Sequence, residues 1–343
     1  MATNVMSATI TEMREPELRC LVCDDYVNTA DVINGRNLYR CPNCELHFFD
    51  SEDLPHDLYS RAYEGKVRDA GMEEYLFRAR YLSPLSTDVL LSPALRLSLR
   101  WLARNVPPGS TVLDVGCGRG IMLRELRAHG FEAVGTDLAP QVADLLEPQG
   151  FKVHVGPVDK YPATLPNPDF VTCNYVLHHP SDPVGFLRSI AERFPDAPLL
   201  LTEAIYPNWM FGLAPTPRPE FPRQLTSWSF RSVSEAMQRA GYGRHRLYGT
   251  KPRPDDVQLP LMPWIARFVS KKSDRKVSTT GVVRQVAAST RGMELAIRTV
   301  RLAKRLAFGG PALYARGRGL QPAGVLAVAI PDCKPGKQGD PHP

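Results

Sequence analysis

The chain has 343 residues, of which 43% are hydrophobic and 23% charged, and a formal net charge of +6. Its length suits one large domain with additions, or two domains. The opening stretch MATNVMSATITEMREPEL has no apolar core of the kind a secretory signal needs, and no later segment runs 18 apolar residues without a charge. A membrane span is therefore not expected, and a cytoplasmic location is. The charge is uneven: between Trp264 and Leu320 there are 13 Lys or Arg against two acids, so the basicity belongs to one segment.

In chain order, the first feature is a set of short β-like pieces over residues 20–50, between two cysteine pairs. Cys20, Cys23, Cys41 and Cys44 read CxxC and CxxC with 17 residues between them, out of seven cysteines in all. An odd and uneven set argues for a metal site in a reducing compartment over a disulfide framework. Each CxxC can wrap one edge of a tetrahedral zinc ion, with the intervening residues forming a hairpin. Four thiolates leave no open coordination position, so such an ion is expected to be structural. Four buried thiols without an ion is the alternative. Asp24 and Glu45 stand where ribbons of this kind often have glycine.

Residues 55–105 look helical, with Tyr59, Tyr63, Leu95, Leu99 and Leu102 among arginines, and the turn VPPGS ends them. From Thr111 strands and helices alternate. TVLDVG, FEAVGTD, FKVHVG, DFVTCNYVLHH and APLLLTEA read as strands, separated by the helices IMLRELRAHG, DLAPQVADLLEPQG and VGFLRSIAERF. That rhythm predicts an α/β fold with a parallel sheet wound on both faces. SVSEAMQRAGY is a further helix, residues 261–308 are largely helical and basic, and GVLAVAIP is a last strand before a polar tail. The implied organisation is a zinc-ribbon segment (1–50), a helical lead-in (51–108), an α/β domain (109–253), a basic helical insertion (254–320), and the last strand with its tail (321–343).

The stretch LDVGCGRG runs a strand straight into Gly116, Gly118 and Gly120 and then a helix. Such a turn sets backbone N–H groups at the carboxyl edge of the sheet, where open α/β folds bind ligands. Glycine is needed because a Cβ would block both the turn and the approach of a ligand. A dinucleotide fingerprint spaces its glycines GxGxxG, but position 121 is Ile, which speaks against NAD or FAD. Asp137 ends the second strand 17 residues past Gly120, where a carboxylate can accept from both hydroxyls of a ribose. Asp114, two residues before Gly116, would repel a pyrophosphate but suits an ammonium group. A ligand with a ribose, no phosphate and a cationic end is S-adenosylmethionine.

On these residues the chain resembles the class I S-adenosylmethionine-dependent methyltransferases, over roughly residues 109–250 and the last strand. The family's DxGxGxG stands here as Asp114, Gly116, Gly118 and Gly120, with Cys117 inside it. The resemblance places the ribose acid on Asp137 with Leu138 beside it, the adenine-edge acid on Asp159, and Asn174 near the cofactor. The family often has a Pro-Gly-Gly turn before the fifth strand, where this chain has RFPDAP. A zinc ribbon ahead of such a domain resembles two groups, one acting on sugars and secondary metabolites and one on ribosomal RNA bases.

The cofactor is an activated methyl donor, so the protein must align donor and acceptor and, for a hydroxyl or carbon acid, remove a proton. His178 and His179 follow the fourth strand, with His178 the better base and His179 more readily a structural histidine. Glu203 and His245 are weaker candidates. Arg298, Arg301, Lys304 and Arg305 read as one face of an amphipathic helix, either facing water or roofing a pocket for an anionic substrate. The leading expectation is a methyltransferase for a small-molecule acceptor, a sugar or natural product, with an anionic group as a further expectation. The alternative is an RNA base methyltransferase. Against it, NYVLHH lacks the Asn/Asp-Pro-Pro-aromatic box that holds a flipped base. A catalytically silent adaptor is a third reading, which the intact glycines and acids disfavour.

Overall fold

The computed structural model describes residues 18–33, 36–49, 92–208, 224–251, 302, 306–307, 311–314, 318 and 323–332. Tyr59, Tyr63 and the helical lead-in as far as residue 91 lie outside the described residues, as do Arg298, Arg301, Lys304 and Arg305. Among the described residues no helix is long and apolar enough to cross a membrane.

The centre is a seven-stranded sheet. Its parallel part comprises β4 (Thr111–Val115), β5 (Glu132–Asp137), β6 (Lys152–Val155), β7 (Phe170–Asn174) and β8 (Leu199–Ala204). Two antiparallel strands, β10 (Arg244–Gly249) and β11 (Gly324–Ile330), extend it beyond β8, giving the order β10-β11-β8-β7-β4-β5-β6. The inner strands are apolar on both sides because both faces are covered. Successive residues show it: Leu113, Leu199, Leu201, Val325 and Ala327 enter one buried cluster, while Val112, Leu200 and Leu326 enter another. The first cluster holds α4 (Pro183–Arg193) and α5 (Phe230–Arg239), the second holds α1 (Pro93–Asn105) and α2 (Ile121–Ala128), and a smaller third one holds α3 (Pro140–Leu146).

Local chemistry starts these helices where the sequence places them. Ser92 and Asp182 cap α1 and α4 by accepting from Leu95 N and Gly185 N, each with proline at the first helical position. Ser229 and Ser232 form a reciprocal capping box on α5. The predicted fourth strand is shorter than expected. It stops at Asn174 because Tyr175 takes a left-handed backbone, φ 57°, and turns the chain out of the sheet. YVLHH is therefore a loop at the carboxyl edge.

The amino-terminal hairpin of β1 (Asn28–Ile33) and β2 (Arg36–Arg40) continues to β3 (His47–Phe49). The fourth strand of this small sheet is β9 (Thr226–Ser227), which comes from far along the chain. The two cysteine loops fold alike. Asp24 N donates to Cys20 O and Glu45 N to Cys41 O, each at 3.1 Å, and Asp24 and Glu45 adopt φ 61° and 65°. The two residues standing in for glycine thus take the backbone that glycine would favour.

Candidate active site

The carboxyl ends of β4, β5, β7 and β8 share one edge. At the end of β4 the chain passes through Gly116, Gly118 and Gly120 with φ of 69°, 48° and 69°. The N–H groups of this turn are used within the fold, contrary to the expectation that they face a ligand. Gly116 N and Cys117 N donate to Thr136 O, Gly118 N to Asp137 Oδ2, and Gly120 N to Cys117 O. A phosphate would find these four donors already taken. What the edge offers is carboxylate.

Asp114 is buried, and its Oδ1 accepts from Thr172 Oγ1 at 2.7 Å and Asn174 Nδ2 at 2.8 Å. Burial pushes its carboxyl up to about 6 against those two hydrogen bonds, with Asp137 adding to the rise. Asp137 is also raised, chiefly by burial, although Ala139 N and Gly118 N donate to its two oxygens. Each of those oxygens keeps a lone pair for a hydroxyl. Beside Asp137, Leu138 is 66% exposed, an apolar side chain open at the sheet edge. Two desolvated acids next to an exposed leucine match a cation, a diol and an apolar ring, so the residues present fit S-adenosylmethionine. Cys117 turns its side chain into the core against Gly135, where burial raises its thiol, so the side chain is not offered at the sheet edge. Asn174 donates to Asp114 and accepts from Thr202 Oγ1, which makes it the orienter of that acid. Asp159 lies on the turn Val158–Lys160 after β6, half-exposed and 3.5 Å from Lys160 Nζ.

On β8, Glu203 is 1% exposed and accepts from Leu177 N at 2.8 Å, while its Oε2 lies 2.9 Å from His178 Nδ1. With the carboxylate as acceptor Nδ1 is the donor, and in the neutral ring Nε2 is then the nitrogen left to accept. Nε2 has no hydrogen-bond partner among the described residues, and 11% of the His178 side chain stays accessible. His179 lies against it with ring centroids 4.0 Å apart, its own N–H donating to Val176 O. His245 is far from this group. It sits at the other edge of the sheet, where its ring meets Ser234 Oγ and Tyr242 O. Sequence reasoning ranked Glu203 as a weak base and missed its pairing with His178; an acid inside the apolar run LLLTEA was the available signal.

The sulfurs of Cys20, Cys23, Cys41 and Cys44 all lie within 4.8 Å of one another and are buried. Cys20 approaches Cys44 at 3.5 Å and Cys23 approaches Cys41 at 3.3 Å, close to the about 3.8 Å that Zn–S bonds of about 2.3 Å imply. The thiols hold their protons unequally: the hydrogen bond from Cys44 pulls Cys20 down, and the same bond with burial pushes Cys44 up. The set fits a zinc ion. A separate cavity of about 410 Å³ lies between Cys20–Asp24 and the start of α4, with Arg188 and Arg239 in its wall; it includes neither the glycine turn nor His178.

Residues 90–244 match the family model of a methyltransferase domain. This stretch is a methyltransferase domain, similar to the class I S-adenosylmethionine-dependent methyltransferases that the sequence resembles. The domain is 32% identical over 135 residues to the ubiquinone biosynthesis O-methyltransferase of Bordetella parapertussis, covering 36% of this chain and 56% of that protein. The chain thus spans about half the length of the curated relatives it matches. Among solved structures, a methyltransferase in complex with the Trm112 methyltransferase activator of Haloferax volcanii is 17% identical, with a TM-score of 0.44 over 82% of this chain and all of that one. The 1,6-didemethyltoxoflavin-N1-methyltransferase of Burkholderia thailandensis, with S-adenosylhomocysteine bound, is 15% identical, with a TM-score of 0.42 over 65% of this chain and 92% of that one.

Proposed function

We propose that this chain transfers the methyl group of S-adenosylmethionine to a hydroxyl of a small organic acceptor, a sugar or natural product. The observation that carries the reading is the Glu203–His178 pair on the sheet edge that also bears Asp114 and Asp137. The bound cofactor supplies a methyl group already activated by its sulfonium charge. Asp114, with Thr172 and Asn174 behind it, holds the cationic amino group, Asp137 takes the ribose hydroxyls, and Leu138 and Asp159 border the adenine. A hydroxyl attacks well only as its proton leaves. Glu203 keeps the His178 proton on Nδ1, so Nε2 accepts that acceptor proton. The name of the Bordetella relative supports oxygen as the atom methylated. Cys20, Cys23, Cys41 and Cys44 hold a structural zinc ion in this reading.

The purified protein, given methyl-labelled cofactor and in parallel a panel of phenols and sugars or total RNA, is expected to label a low-molecular-weight hydroxyl compound. Label entering RNA alone overturns the small-molecule reading.

A further inference from the structure

The ribbon reaches the acceptor side of the site through the two residues of β9. On one side Phe49 N, from β3, donates to Leu225 O at 2.9 Å. On the other, Leu225 N and Thr226 N donate to the carbonyl of His178 at 2.8 and 3.3 Å. Thr226 Oγ1 donates to the carbonyl of Leu177, whose own N–H is bound by Glu203. From the cysteine loops, Cys44 O accepts from Ser229 Oγ at 3.1 Å and Cys23 O from Arg239 Nη2 at 3.0 Å. Cys44, Phe48, Leu177 and Trp228 share one buried cluster, and Leu225 is fully buried. Among the described residues the cofactor side shows no such tie: the partners of Asp114 and Asp137 are Thr172, Asn174, Gly118 and Ala139, all on the central sheet or its turns.

A closed four-thiolate ion has no position left for chemistry, so the cluster acts by holding structure. The sheet it staples is small, and β3 and β9 are three and two residues long. Segments of that length do not hold a register alone. We propose that the ribbon is a positioning element for the acceptor side: the ion holds β3, β3 holds β9, and β9 holds the backbone of His178 so that its ring stays on Glu203. Its effect on turnover rests on His178 being the base; the coupling itself is read from the His178 ring.

The test uses the full chain loaded with zinc, stripped by a chelator under reducing conditions, and reloaded with zinc chloride. With ¹³C-labelled histidine, the His178 ring signal is the one missing from His178→Gln. Stripping is expected to shift or broaden that signal and lower turnover about tenfold or more, zinc to restore both, and the Kd for S-adenosylhomocysteine to change by less than about threefold. An unmoved His178 signal in protein shown to be metal-free overturns the proposal, and so does loss of S-adenosylhomocysteine binding, because the damage is then not confined to the acceptor side. A second variant keeps the metal. Thr226→Val removes the bond to Leu177 in a side chain of the same shape and is expected to shift the His178 signal, with Thr226→Ser restoring it; an unshifted signal in Thr226→Val also overturns the proposal. Full turnover in His178→Gln sinks the base reading and leaves the coupling standing.

Discussion

Two buried carboxylates sit two strands apart on one sheet edge, Asp114 on β4 and Glu203 on β8. Each is held by hydrogen bonds, yet their surroundings assign them opposite work. Asp114 receives neutral donors at one oxygen and is pushed up to about 6, the state of an acid awaiting a cation. Glu203 already faces a histidine and two backbone N–H groups, those of Leu177 and Ala204, so it orients that imidazole and waits for nothing. A buried acid is informative through what its oxygens still lack.

The largest expected effect breaks the Glu203 side. His178→Gln should lower kcat by about 10³-fold, within the range for losing a general base, with the Kd for S-adenosylhomocysteine unchanged by calorimetry. Glu203→Gln should cost about 10²-fold, and the double variant little more than His178→Gln alone, because the two act as a unit. Independent, multiplying losses would separate the pair.

Asp114→Asn should do the reverse, weakening S-adenosylhomocysteine binding by about 2 kcal/mol, or about 30-fold, with kcat at saturating cofactor nearly kept. The pH dependence sharpens this. A carboxyl raised to about 6 is ionised above that pH, so binding of a cationic amino group should be strongest near neutrality and weaken by up to about tenfold per unit as pH falls through 6. For the unliganded protein the sign is opposite: this raised acid favours the folded state at low pH and loses that contribution as pH rises through about 6. A pH profile unchanged by Asp114→Asn would assign the effect to another group.

The smallest effect lies where the two regions touch. A Cβ on Gly116 would stand 2.5 Å from Val176, next to the residue whose N–H binds Glu203, whereas a Cβ on Gly109, φ 86°, meets nothing within 4 Å. Gly109→Ala should therefore cost only the left-handed backbone, about 1 to 2 kcal/mol, and Gly116→Ala more. Equal urea midpoints for the two would show that Val176 yields freely.

The sequence alone determined what is local. Strand, glycine turn and helix over residues 111–128 are contiguous, and so are Asp137 and the two CxxC pairs; contiguous residues announce their geometry through spacing and backbone demand. Even the two substituted knuckle positions, Asp24 and Glu45, could be located by what usually stands there. Only the tertiary structure decided the rest. The turn spends the N–H groups of Gly116, Cys117 and Gly118 on Thr136 and Asp137, which lie on the neighbouring strand. Glu203 meets His178 across 25 positions, and the two-residue strand β9 meets β3 across 180, Ser227 against His47. Those pairings join segments that share no periodicity and no fixed spacing, so the folded sheet alone brings them together.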